Sequence, residues 1–160
     1  MNQFIRSIAV LLLSACVMQG AWAQFYFTGP GFTPDENGTN LDDPKQVSSL
    51  AMRERIVYFD FDSFVIREEA RPIIEAHGRR LRADPNLRVA LEGHTDDRSV
   101  REYSLGLGQK RADAVRKALS LMRVADSQME AVSFGAEKPA VPGNTEAAMQ
   151  ENRRVEINYR

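Results

Sequence analysis

The stretch LRVALEGHTDDR, residues 87–98, decides the fold because an alternating apolar pattern gives way there to a run of polar residues. Leu87, Val89 and Leu91 alternate as they do in a strand with one buried face. After Gly93 the side chains are polar, and binding sites are commonly built where a strand ends. We therefore expect a functional site at the end of this strand.

Asp96 and Arg111 are the candidate charged pair of that site. Arg111 lies in a helical pattern that runs from Tyr103 to Met122. A carboxylate accepts hydrogen bonds from an ammonium, and a guanidinium fork binds a carboxylate, so the pair predicts a polar, exposed receptor for a zwitterionic group. The blander alternative is that Asp96 and Asp97 cap a helix and that Arg111 is a solvated helix charge.

The remaining periodic segments predict an α/β (α+β) sandwich in the order βαβα-β(α)β. Strands and helices that alternate in this way favour a four-stranded mixed sheet with both long helices packed on one face. The predicted segments are a strand at 56–59, a helix at 67–83, a strand at 87–91, a helix at 103–122, a strand around Val132 and Phe134, a short helix at 146–150 and a strand at 155–159.

The bulk composition leaves room for one domain of roughly 100 residues with appendages. The chain has 160 residues and a formal net charge of −1, so it lacks the basic footprint of a nucleic-acid binder. Gly, Pro, Asn, Asp and Thr dominate from Phe25 to about Val47, which predicts a flexible tether. Regular structure is expected to begin near Arg55, and the folded domain is assigned to residues 51–160.

The first residues predict an export signal, with a positive charge at Arg6 and an apolar core at 8–15 that is too short to span a membrane. Leu-Ser-Ala before Cys16 resembles a bacterial lipobox, which predicts a signal peptide of residues 1–15 and a lipidated tether of residues 16–50. The alternative is cleavage between Ala23 and Gln24, which would discard the cysteine.

Five motifs, taken together and in this order, resemble those of OmpA-like peptidoglycan-binding domains. They are VYFDFD at 57–62, EGHTD at 92–96, LGQKRA at 107–112, EKPAV at 137–141 and NRRV at 152–155. The resemblance covers about Leu50 to Tyr159. It implies non-covalent binding to the diaminopimelate of the cell-wall stem peptide, whose side chain ends in an ammonium and a carboxylate.

The resemblance also implies which residues bind the wall. Asp96 and Arg111 match the two key positions of the family. Supporting contacts are implied for Phe61 and Asp62 after the first strand, and for Asp97, Arg98 and Ser104 at the entry to the second long helix. Three positions depart from the family pattern, which has Asn at Ser104, Gly at Ser99 and an acid at Val65.

The wall-binding lipoproteins of the Tol system within this family suggest the cellular setting. They imply a lipid anchor in the outer membrane, a domain that faces the periplasm, and a periplasmic Tol propeller protein that competes with peptidoglycan during cell division. The alternative is a soluble periplasmic protein, cleaved after Ala23, that acts as a protein-interaction module.

An enzyme or metal centre built on His94, Asp96 and Asp97, with Ser99 nearby, is the weaker hypothesis. The chain offers two histidines and one cysteine, too few nitrogen and sulfur ligands for a zinc site of that kind. We therefore predict neither a metal, nor a cofactor, nor catalysis.

Three further polar residues are given structural roles. His77 lies on an apolar helix stripe and is expected to be packed or hydrogen-bonded. Arg153 and Arg154 are expected to pair with nearby acids or carbonyls.

Overall fold

The computed structural model describes residues 43–160. The predicted signal peptide, Cys16 and the alternative cleavage site lie outside the described residues. Within 43–160, no helix combines the length and the apolar character that a membrane span needs.

Strands and helices alternate along the described part of the chain. The helices are α1 (Pro44–Arg53), α2 (Arg71–Ala83), α3 (Arg101–Leu121) and α4 (Glu146–Asn152). The strands are β1 (Ile56–Tyr58), β2 (Val89–His94), β3 (Met129–Gly135) and β4 (Arg154–Tyr159). Short 3₁₀ turns cover Glu68–Ala70 and Asp126–Gln128.

The four strands form one mixed sheet in the order β1-β4-β2-β3. β2 runs parallel to β3, while β4 runs antiparallel to both β1 and β2. One buried cluster joins the sheet to α2 and α3, which therefore pack on the same face. Its members include Val57, Leu91, Val155 and Ile157 from the sheet, Ile74 and Leu81 from α2, and Val115 and Leu119 from α3. The predicted fold class is confirmed.

The contact between α3 and the sheet depends on two glycines. A Cβ placed on Gly93 would lie 2.0 Å from the carbonyl oxygen of Gly108, and one on Gly108 would lie 2.3 Å from Oγ of Ser133. Only glycine permits this close approach of helix and strand backbones. The approach fixes the first half of α3 beside the end of β2.

Helix α1 corrects the prediction that the tether reaches about Val47 and that regular structure begins near Arg55. The helix starts after Asp43, whose carboxylate accepts a hydrogen bond from the backbone N–H of Lys45 at 2.9 Å. Val47 and Ala51 are buried against Ala76 of α2. The stretch was mistaken for tether because its apolar stripe is short and its proline, at the first helical position, reads as a loop signal.

The sheet face opposite α2 and α3 is called here the far face. Side chains alternate along a strand, so the neighbours of core residues on β2, β3 and β4 point to this side. Its members include Glu92, His94, Val132, Phe134, Arg154 and Glu156.

His77 is confirmed as a buried structural histidine of α2. Its Nε2 lies 2.8 Å from the carbonyl oxygen of Glu54, and its Nδ1 lies 2.8 Å from the hydroxyl of Tyr159. With Nε2–H donating to the carbonyl, Nδ1 accepts from the hydroxyl. Burial lowers the pKa of His77 to about 4, which favours this neutral form. The ring links the residue after α1 to the end of β4.

Candidate functional site

The predicted site residues come together at one edge of the sheet, around the end of β2. The backbone N–H of Phe59 donates to the carbonyl of Arg153 at 2.8 Å, and that of Thr95 donates to the carbonyl of Gly135 at 2.9 Å. The first bond holds the loop after β1 against the residue that precedes β4, and the second holds the loop after β2 against the end of β3. The site is therefore assembled from segments far apart in sequence.

Asp96 is buried between two guanidinium groups. Its Oδ2 accepts from Nη2 of Arg98 at 2.7 Å and from Nη1 of Arg153 at 3.1 Å. Burial alone would raise the pKa of Asp96, but the hydrogen bonds from these arginines outweigh it and lower the pKa below its ordinary value. Asp96 therefore carries a fixed negative charge at neutral pH.

Arg111 is completely buried, which corrects the prediction that its surroundings are exposed. Its Nε, Nη1 and Nη2 donate to the backbone carbonyls of Ser63, His94 and Asp60 at 2.8, 2.9 and 3.0 Å. Burial lowers the pKa of Arg111 to about 10, so it stays charged at neutral pH. It is neither the solvated helix charge nor the freely exposed fork that the sequence suggested, because it ties together the loops after β1 and β2.

Exposed side chains lie on the loop after β1 and on the segment that enters α3, the two segments that carry the predicted supporting contacts. The exposed fractions are 58% for Phe61, 67% for Val65, 70% for Val100 and 49% for Tyr103. The guanidinium of Arg98 lies over the ring of Phe61 at 4.1 Å from its centroid. We call Asp96, Arg111 and Arg153 the floor of the site, and Phe61, Phe64, Val65, Arg98, Val100 and Tyr103 its rim.

Asp62, a predicted contact residue, belongs with the rim through Tyr103. The Tyr103 hydroxyl donates to its carboxylate, and this hydrogen bond raises the pKa of Tyr103. The backbone of Asp62 has a φ of 52°, a left-handed conformation that aspartate adopts more often than most residues other than glycine. The tight turn after β1 thus presents Phe61 and Asp62 side by side.

The other predicted residues differ in their exposure. Asp97 is exposed in the loop before α3, whereas Ser104 lies inside the first turns of α3 and is buried. Oγ of Ser104 has no hydrogen-bond partner among the described residues. Ser99 is not among the residues with positive φ in the described range, so this backbone does not require glycine there.

Sequence reasoning underestimated Arg153 and missed Tyr103. Arg153 pairs with acids as predicted, because Nη2 donates to Oε1 of Glu146 at 2.8 Å while Nη1 reaches Asp96. It is therefore also part of the floor. The NRRV motif was the sequence signal that could have identified Arg153 as a site residue. For Tyr103 the only such signal was its position next to Ser104, a predicted contact residue.

His94 does not form a cluster with Asp96 and Asp97. Its imidazole lies on the far face, stacked on Phe134 with the ring centroids 5.6 Å apart. Burial, helped by the charge of Arg154, lowers the pKa of His94 to about 4. The nearest possible metal ligands are instead Glu92 and Glu156, so the structure gives no support to the weaker hypothesis that combined His94 with the two aspartates.

Comparisons with known proteins identify the family of this chain. Residues 58–153 match the model of the OmpA family. A peptidoglycan-associated lipoprotein of Pasteurella multocida is 43% identical over 125 residues, covering 78% of this chain and 83% of the relative. A peptidoglycan-associated lipoprotein of Haemophilus influenzae is 38% identical over 163 residues, covering 99% of this chain and 100% of the relative.

Solved structures share the fold. The peptidoglycan-associated lipoprotein of Burkholderia pseudomallei superposes with a TM-score of 0.69 at 44% identity, covering 74% of this chain and all of that one. The C-terminal domain of Helicobacter pylori MotB superposes with a TM-score of 0.62 at 24% identity, covering 67% and 84%. At that identity the second likeness shows the fold alone.

Proposed function

Because the chain belongs to the OmpA family, among the peptidoglycan-associated lipoproteins, we propose that it binds peptidoglycan without catalysis and ties the outer membrane to the cell wall. The named relatives are lipoproteins associated with peptidoglycan rather than enzymes, which agrees with the prediction that this chain is not an enzyme. The proposed ligand group is the diaminopimelate side chain of the stem peptide.

One observation carries the proposal: a buried, ionised carboxylate stands beside fixed guanidinium groups at a loop-lined edge of the sheet. Asp96 has room for a further donor, since a carboxylate offers about four lone-pair sites. The ammonium of the ligand is proposed to donate to Asp96. Burial strengthens such a charge-assisted bond relative to the same bond in water.

The ligand carboxylate is proposed to meet the arginines. Arg98 is the accessible one, with 34% of its side chain exposed, and it can turn from Asp96 toward a ligand. Arg111 is completely buried and uses three of its five N–H groups on backbone carbonyls, so it is proposed to fix the loops around the ligand rather than to contact the ligand. A stem peptide with lysine in place of diaminopimelate lacks this carboxylate and is expected to bind more weakly.

Sedimentation with isolated sacculi tests the ligand. The full chain is incubated with sacculi of the diaminopimelate type and of the lysine type, together with Arg98→Ala and with Glu102→Gln as a control on an exposed acid of α3. Retention on the diaminopimelate type alone, reduced in Arg98→Ala and kept in the control, supports the proposal. Equal retention on both types, or none, contradicts it.

The lipid anchor is a separate proposal, supported by the lipobox resemblance at Cys16 and by the word lipoprotein in the names of the relatives. Mass spectrometry of the mature amino terminus decides it. An acylated Cys16 at the first position supports anchoring in the outer membrane, with the domain in the periplasm. An unmodified chain that starts at Gln24 contradicts it.

The exposed rim supports a second function, the binding of a protein partner at the same surface. Phe61, Phe64, Val65, Val100 and Tyr103 are large apolar side chains left exposed on the loop after β1 and at the start of α3, and grouped residues of this kind mark interaction surfaces. We propose the periplasmic Tol propeller protein as that partner, in competition with the wall. Addition of purified partner should release the chain from sacculi, and unchanged retention would contradict a shared surface.

A further inference from the structure

The far face of the sheet holds three possible metal ligands that the candidate site does not use. Glu92 and His94 of β2 and Glu156 of β4 offer ligand atoms that all lie within 4.8 Å of one another. Nε2 of His94 is 3.9 Å from Oε1 of Glu156, and Glu92 lies directly opposite Glu156 in the strand register. Within residues 43–160 this is the one cluster of its kind.

The ring of His94 is buried without a hydrogen-bond partner in the described part of the chain, as a metal ligand in an empty site would be. It is 2% exposed, and neither ring nitrogen has a hydrogen-bond partner of ordinary geometry among the described residues. The Lys138 backbone comes near enough to act on the ring without reaching that geometry. Burying a polar group with no partner costs free energy, so a lone pair that binds a cation would remove this cost.

The carboxylates of Glu92 and Glu156 differ in the counter-charges that they contact. Glu156 accepts a hydrogen bond from Nε of Arg154 at 2.7 Å, whereas Glu92 has no ion pair or hydrogen bond among the described residues. Like charges directly opposite each other on neighbouring strands destabilise a sheet. The nearby ammonium of Lys138 lies over the ring of Phe134, at 3.4 Å from the centroid. One negative charge therefore lacks a direct counter-ion.

We propose that Glu92, His94 and Glu156 bind a divalent transition-metal cation of the zinc class, which links β2 to β4. Imidazole nitrogen and carboxylate oxygen are both zinc ligands, and three protein ligands leave a fourth position for water. Ligand atoms around a tetrahedral zinc ion lie about 3.4 Å apart, so only small side-chain movements are needed. The sequence argument against zinc counted nitrogen and sulfur alone, and here carboxylates complete the set.

Metal retention tests the site directly. The full chain carrying Cys16→Ser, which removes the only cysteine, is stripped with a chelator and dialysed against Zn²⁺, and bound zinc is measured. We expect one equivalent in this parent and at least tenfold weaker binding in His94→Gln and in Glu92→Gln. Glu130→Gln, a carboxylate on β3 that pairs with Arg160, is the matched control and should bind like the parent.

Thermal unfolding with and without Zn²⁺ keeps the test independent of how each variant folds. Zinc should raise the melting temperature of the parent and of Glu130→Gln, and leave that of Glu92→Gln unchanged. Mg²⁺ at the same concentration should have no effect, because magnesium prefers oxygen ligands. No zinc retained by the parent, or equal retention in Glu92→Gln and His94→Gln, overturns the proposal.

Discussion

The floor and the rim of the candidate site hold their charges in different ways. Arg111 and Arg153 of the floor are almost completely buried and find their partners within the protein. Arg98 of the rim pairs with Asp96 and with the largely exposed Glu146, but it keeps a third of its side chain exposed. Buried charges that are satisfied internally fix the loops, whereas exposed charges are free to exchange partners. A residue can thus be essential to the site without being the group that contacts the ligand.

The strongest test of this comparison is Arg111→Ala. Three backbone carbonyls would lose the completely buried donor that they share, so the free energy of unfolding should fall by about 3–5 kcal/mol. Denaturant titration measures it. Arg111→Lys keeps the charge but cannot donate to all three carbonyls in the same geometry. Its free energy of unfolding should therefore lie between those of the parent and of Arg111→Ala. A stable Arg111→Ala that merely fails to bind sacculi would show that Arg111 belongs with the rim.

Asp96→Asn is expected to have a smaller effect on stability, about 2–3 kcal/mol at pH 7, because two arginines lose a buried carboxylate. The pKa of Asp96 is lowered on folding. Its contribution is therefore complete above the unfolded pKa near 4 and is lost as the pH falls through the lower folded value. Unfolding at pH 7 and at pH 3 should show a shallower acid dependence in the variant. If the parent and Asp96→Asn showed the same acid dependence, Asp96 would not be one of the buried charges that stabilise the floor.

Arg98→Ala sharpens the comparison from the side of the rim. We expect at least tenfold weaker retention on diaminopimelate-type sacculi, with a melting temperature within about 2 °C of the parent. Arg153→Ala is the matched variant, because it removes the other guanidinium that donates to the same oxygen of Asp96. In Arg153→Ala the melting temperature should fall clearly. If the two variants behave alike, the division between floor and rim is wrong.

Phe61→Ala is expected to have the smallest effect. An exposed ring that carries a guanidinium contributes little to stability, but its loss frees Arg98 to move. Retention should weaken by about two- to fivefold, in proportion to an exposed cation–π contact. Titration with soluble diaminopimelate-containing muropeptide measures the change. A large drop in melting temperature would instead make Phe61 part of the folded core.

Most of the fold follows from patterns of local sequence. The alternation at 87–91 and the apolar stripes of α2 and α3 place these elements correctly, since each buries a regular face. The exception is α1, whose burial depends on Ala76 in another helix. Such a partner is invisible from the ten residues of α1 alone.

The candidate site was harder to predict, because burial is a property of the assembled loops. The sequence places Asp96 at the end of a strand, but not between Arg98 and Arg153, which is 57 positions further along the chain. It places Arg111 on a polar helix side, and the loops after β1 and β2 then enclose that side. The side chain of Asn152, which accepts from the backbone N–H groups of Ala140 and Val141, likewise joins two motifs that look independent in sequence.

The docking of α1 on α2 also has a mechanical meaning. Any pull on the chain ahead of Asp43 enters the domain through α1, whose Val47 and Ala51 are seated against Ala76. Behind that contact, His77 connects the Glu54 carbonyl to Tyr159 at the end of β4. β1 is a three-residue strand at the edge of the sheet, paired only with β4. A pulling force therefore acts on α1 and on the buried ring of His77 before it can separate the short edge strand β1 from β4.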